Sequence, residues 1–184
     1  MSKQTQSRLF ATTILSLFVF SNYNSVIQAD KLSGELPVLS QTNLQEFRSS
    51  LSAIVNQSQA LTKTYQDEIG KWRSNQYDNA TMISITDSFI PEFENITNAA
   101  KNMTYPNDYK HVHDALVNSL KSETESYKHF RNYLVSGNKT EDEISTDLLT
   151  SALKYEMIYS RFLSMSLPTS GETVTISMRT IGQH

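Results

Sequence analysis

The 184-residue chain predicts an all-α protein: an antiparallel four-helix bundle with a proline-kinked second helix and a short extended C-terminal tail. Three observations carry that expectation. Apolar residues recur at steps of three and four along four separate stretches, the period of one helical face. Short polar connections separate the stretches, which returns each helix alongside the one before it. Cysteine is absent and glycine occurs only five times, so packing alone must hold the elements together.

Residues 1–29 read as an address. Lys3 and Arg8 form a basic start, and Leu9 to Phe20 is apolar. A polar stretch then ends in Val26-Ile27-Gln28-Ala29, with small Ala29 at the cut. This is the layout of a secretory signal peptide, and the apolar run is shorter than the roughly 20 residues a membrane-crossing helix needs. The expected mature protein starts near Asp30, carries no transmembrane helix, and is secreted or held at the cell surface. Taking Lys3 and Arg8 from the 16 basic residues leaves 14 against 19 acidic ones, a net charge of −5. No basic stripe suited to phosphate neutralisation is present, so nucleic acid is not an expected partner.

Residues 30–40 read as a lead-in broken by Gly34 and Pro37, and residues 41–166 as the helical domain. The first seam is Leu44, Phe47, Leu51, Ile54, Ser58, Leu61, Tyr65, Ile69 and Trp72, with Thr42 or Asn43 as its cap. After polar Ser74 to Asn79, a second seam carries Met82, Ile85, Phe89, Phe93, Ile96, Ala100 and Met103. Pro91 falls inside it and is expected to kink the helix.

Tyr105-Pro106-Asn107-Asp108 signals a turn and a new helix, with Asn107 or Asp108 as cap. Tyr109, Val112, Leu116, Leu120, Tyr127, Phe130 and Leu134 form its seam. Gly137 suits a left-handed helix end, and Thr140 with Glu143 reads as a capping box. The last seam is Ile144, Leu148, Ala152, Tyr155, Tyr159, Phe162 and Met165, stopping before Pro168. In the tail, residues 167–184, the run Thr173 to Arg179 alternates apolar and polar. That is a strand period, and such a segment can add to a partner's sheet edge.

The sequence offers little reaction chemistry. His111 and His113, two apart on a helix, face opposite sides and cannot chelate one ion. Glu125 and His129 share a face but lack the paired Glu-x-x-His of di-iron bundles. Glu141, Asp142 and Glu143 suit a helix start. Glu123 and Glu125, with Lys121 and Lys128 nearby, read as solvated charge. No nucleophile elbow, phosphate loop, dinucleotide fingerprint or zinc-protease motif occurs. The expectation is a non-enzyme with no catalytic residue, metal or cofactor.

Five sequons follow the leader, at Asn56, Asn79, Asn95, Asn102 and Asn138, and mark candidate glycosylation sites. Candidate interaction residues are the aromatics of the connections, Trp72, Tyr77 and Tyr105, and the tail residues Val174, Ile176 and Met178. The tyrosines are expected to turn their rings inward and their hydroxyls outward.

The run Tyr105-Pro106-Asn107-Asp108-Tyr109-Lys110-His111-Val112-His113, with Glu125-Ser126-Tyr127-Lys128, resembles the Pro-x-x-Tyr helix start of secreted helical domains of unknown function. The resemblance implies the helical fold and carries over no activity. The expected role is binding, as an accessory, scaffold or recognition component of an extracytoplasmic assembly with a protein partner. The alternative is carriage of a small molecule or ion between helices, in a pocket lined by Phe89, Phe93, Tyr127 and Tyr155.

Overall fold

The computed structural model describes residues 38–165. The leader, most of the lead-in and the tail, with Val174, Ile176 and Met178, lie outside the described residues. Four helices account for the described chain: α1 (Val38–Arg73), α2 (Asn79–Lys101), α3 (Lys110–Ser136) and α4 (Lys139–Ser164). A single 3-10 turn, Asn107–Tyr109, leads into α3. Among the described residues there is no strand, and no helix is long and apolar enough to cross a membrane.

The first seam is buried along α1. Phe47, Leu51, Ser58, Tyr65, Ile69 and Trp72 are all inside, joined by Val55. The helix starts at Val38, so Thr42 and Asn43 lie within it and cannot cap it; the lead-in is shorter than its composition suggested. At the other end Asn75 takes a left-handed conformation, φ 62°, which Asn tolerates better than most residues. Its N–H reaches the Trp72 carbonyl and the Gln76 N–H reaches Lys71 at 2.9 Å, satisfying carbonyls the helix would otherwise leave open.

Asp78 caps α2 by accepting the Thr81 N–H at 2.8 Å. The helix runs unbroken through Pro91, which sits on its exposed side. Neither Asn107 nor Asp108 caps α3, which begins without a side-chain cap. Gly137 closes α3 at φ 68°, its N–H on the Tyr133 carbonyl. The capping box at Thr140 and Glu143 does not form. Asn138 caps α4 by accepting the Thr140 N–H at 3.1 Å, one turn position earlier, and so leaves Thr140 inside the helix.

The seam of α4 holds in part: Ala152, Tyr159 and Phe162 are buried as expected and Ile144 and Leu148 are half-buried, but its edge shifts to take in Ser145. Ser145, Ala152, Tyr159 and Phe162 are the buried set, whereas Tyr155 and Met165 are exposed. The cause lies in α3, which presents small residues to α4. Ser119 Oγ donates to the Ala152 carbonyl at 2.9 Å and Ser126 Oγ to the Ser145 carbonyl at 2.8 Å. Contacts this close require small residues at Ser145 and Ala152, while Tyr159 and Phe162 carry the same side of α4 into the core.

Two core clusters result. One joins Phe47, Leu51, Val55, Ile96, Ala100, Val112, Leu116, Leu120, Tyr159 and Phe162. The other joins Tyr65, Ile69, Trp72, Met82, Phe93, Tyr127, Phe130 and Leu134. Between them along α1 and α3 fall Ser58, Thr62, Glu123 and Thr124, a polar layer in the middle of the bundle.

Candidate functional site

That polar layer is the most chemically distinctive feature of the described molecule. Glu123 leaves α3 one turn before Tyr127 and is turned inward. Its Oε1 accepts from Thr62 Oγ1 at 2.6 Å and from the Tyr127 hydroxyl at 2.8 Å. Burial pushes the Glu123 carboxyl above the usual carboxylate range, against the pull of the Thr62, Tyr127 and Ser58 hydroxyls. A buried carboxylate is costly unless donors surround it, and here the donors are neutral hydroxyls.

The network extends outward from Tyr127. Its ring meets Tyr65 edge-on at 4.6 Å and Phe93 at 4.7 Å. The Tyr65 hydroxyl pairs with Thr86 Oγ1 at 2.8 Å, and Thr97 and Thr124 pair at 3.2 Å. Burial raises both tyrosine hydroxyls, with the Glu123 charge adding to the effect at Tyr127. The expectation of outward hydroxyls therefore fails at Tyr65 and Tyr127, because a partner oxygen lies inside the core for each.

On α4, Glu156 lies four residues after buried Ala152 and three before buried Tyr159, which places it at the edge of the core-facing side. Burial raises its carboxyl, and repulsion from Glu123 raises it further. Reading Glu123 as solvated charge is thus corrected. A signal for it existed: the α3 seam steps from Leu120 to Tyr127, and the missing rung is Glu123-Thr124.

The aromatic candidates separate. Trp72 is buried and donates from Nε1 to Asn79 Oδ1 at 2.9 Å. Tyr77 packs against the same cluster, and the Lys71 ammonium lies 5.8 Å from its ring. Tyr105 packs against the other cluster and stacks on His113 at 4.0 Å. The three therefore do not converge, since they belong to different ends of the core.

The pocket expected among Phe89, Phe93, Tyr127 and Tyr155 is not formed. Phe89, Phe93 and Tyr127 pack around Tyr65, while Tyr155 sits on the exposed side of α4. Open grooves occur elsewhere. One of about 490 Å³ between α1 and α2 is lined by Gln57, Ala60, Leu61, Thr64, Glu92, Asn95 and Ile96. Another of about 220 Å³ between α2 and α3 is crossed by Lys128, which bridges Glu94 and Glu125 at 2.9 Å each.

His111 is exposed and His113 is buried, the latter with Nε2 at 3.0 Å from the Ala100 carbonyl. His129 pairs through Nδ1 with Glu141 at 2.7 Å rather than with Glu125. Among the described residues no group of three or more His, Cys, Asp or Glu is placed to hold a metal ion. The five sequon asparagines are exposed. Asn79 differs from the rest in that its amide is engaged twice, by Trp72 and by the Leu134 carbonyl at 3.4 Å.

Apolar residues are exposed on α4, among them two expected in its seam, Tyr155 and Met165. Tyr155, Met157, Ile158 and Met165 are exposed by 36, 72, 43 and 50 %. Of these, Met157, Ile158 and Met165 fall on one side of the helix, and Tyr155 lies at the edge of the core-facing side. No protein family, curated protein or solved structure matches this chain.

Proposed function

We propose that the chain is an exported protein that acts by binding, as an accessory, scaffold or recognition component of an extracytoplasmic assembly. In this reading residues 1–29 are removed near Ala29, and the mature antiparallel bundle is secreted or stays at the cell surface. It has no catalytic role, and the sequon asparagines carry glycans where the host supplies the machinery. The observation that carries the reading is the exposed apolar end of α4, Tyr155, Met157, Ile158 and Met165. The alternating run Thr173 to Arg179 follows shortly after it in the chain, which makes the C-terminal region the natural contact element.

The test is gentle purification of the exported protein, followed by sizing and identification of what accompanies it. A stoichiometric protein partner is expected, and it should be lost from a Met157→Glu, Ile158→Glu double variant whose helical signal is unchanged. A monomer in both proteins overturns the reading.

The groove between α1 and α2 supports the second reading, carriage of a small molecule. Leu61 and Ile96 give it apolar walls, and Gln57, Thr64 and Asn95 give it polar ones. A ligand seen in the native mass spectrum of the monomer would favour it.

A further inference from the structure

Two half-buried carboxylates on different helices, Glu123 on α3 and Glu156 on α4, lie toward the core, and among the described residues no cation bonds to either. Stepping forward along α3 from Ser119 to Ser126 steps back along α4 from Ala152 to Ser145. Side chains on a helix lean toward its N-terminus. Glu123 and Glu156 each lie four residues after a member of the bonded pair Ser119 and Ala152, so both lean back toward that level.

We infer that Glu123 and Glu156 form an acid-closed joint, which holds α4 most firmly against the rest of the bundle when protonated and loosens it when both are ionised. From α1 the groups facing the pair are the Ser58 and Thr62 hydroxyls, with Tyr65 behind them against Tyr127. From α3 they are Tyr127 and Ser119, and from α4 Tyr159, whose hydroxyl is itself raised by burial and then by the Glu156 charge. Among the described residues α2 adds no ionisable group, and no Lys, Arg or His hydrogen-bonds to either carboxylate.

Like charges in this setting repel with little screening. Burial raises both carboxyls above their unfolded value, and at Glu156 the Glu123 charge adds to it. A raised acid contributes stability that is complete below its unfolded pKa and is lost as pH rises through its folded pKa. The joint therefore firms on acidification from neutral pH. The exposed carboxylates Asp78, Asp114 and Glu141 are lowered by their donors. They act in the opposite sense, and only as pH falls into the ordinary carboxylate range.

The test is the melting temperature of the mature chain from pH 8 to pH 5, for the parent and for Glu123→Gln and Glu156→Gln. Asp142 is also raised by burial, so the difference between parent and variant isolates the pair. The parent is expected to melt higher at pH 5 than at pH 8, by on the order of 3 °C or more. Each variant should lose part of that slope. At pH 8 Glu123→Gln should melt no lower than the parent, because its amide oxygen still accepts from Thr62 and Tyr127. A slope unchanged in both variants overturns the joint. Carbon-13 titration of the glutamate carboxyls provides a readout independent of folding stability. Raised midpoints for Glu123 and Glu156 are expected, and ordinary ones for both overturn the proposal.

Discussion

The two faces of α3 are built on opposite principles. Toward α4 it presents Ala115, Ser119 and Ser126, and α4 answers with Ser145 and Ala152, all buried. There the serine hydroxyls bond directly to main-chain carbonyls of the neighbouring helix. Toward α1 and α2 the same helix presents Tyr127 and Phe130. These meet Tyr65, Phe93 and Trp72 with ring centroids 4.6 to 5.5 Å apart. Interhelical distance follows side-chain size, so one face is a close seam held by backbone approach and the other a wider one filled with rings. The difference teaches where polar groups can enter a bundle: a wide seam leaves room for a side chain as long as Glu123, and the centre of a close one is filled by hydroxyls.

Breaking the wide seam should have the largest effect. Phe130→Ala removes a fully buried ring that meets Trp72 edge-on at 5.5 Å, and a cost of about 3–5 kcal/mol is expected in urea unfolding. If the site collapsed around the smaller residue, the loss would fall well short of that. The seam is then more plastic than its ring geometry suggests.

The close seam should fail in the other direction, by overfilling. Ser145 is fully buried and its hydroxyl pairs with Ser126 at 2.9 Å. Ser145→Leu should cost about 1–3 kcal/mol or more through forced separation of the helices. Ser145→Ala should cost about 1 kcal/mol, the worth of a hydrogen bond. Chemical denaturation of the pair sharpens the comparison: equal losses would mean that the hydroxyl, and not the spacing, is what matters there.

The smallest effect concerns the turn that joins α3 to α4. Gly137 is left-handed, and nothing lies within 4 Å of where a Cβ would stand. Gly137→Ala should therefore cost about 1 kcal/mol from backbone strain alone. A thermal melt showing no change would indicate that the turn relaxes without disturbing the close seam.

The legibility of this fold varied with the range of the interaction. The α1 seam could be read because it is long and strictly periodic, and Gly137 because a left-handed end has few other candidates. The α4 seam was read at Ala152, Tyr159 and Phe162 but missed at Ser145, Tyr155 and Met165, because its apolar residues are spread around the helix. Ser145 is polar, and its burial follows from its hydroxyl pairing with Ser126 of α3. Glu123 was misread for a related reason: beside Lys121, Glu125 and Lys128 it shares the composition of a solvated surface. Its inward turn depends on Thr62, 61 residues away in the chain.

By itself, the sequence determined the helical class, the four described helices and roughly where they end, because periodicity and turn residues such as Gly137 are properties of neighbouring residues. It also placed most of the α1 core. Only the tertiary structure decided which side of α4 is buried and which apolar side chains are left on the surface. It also decided that Trp72 and Tyr105 belong to different clusters and that Glu123 turns inward to Thr62 and Tyr127. Those outcomes depend on how closely two helices approach, and that distance is set by residues from both, far apart along the chain.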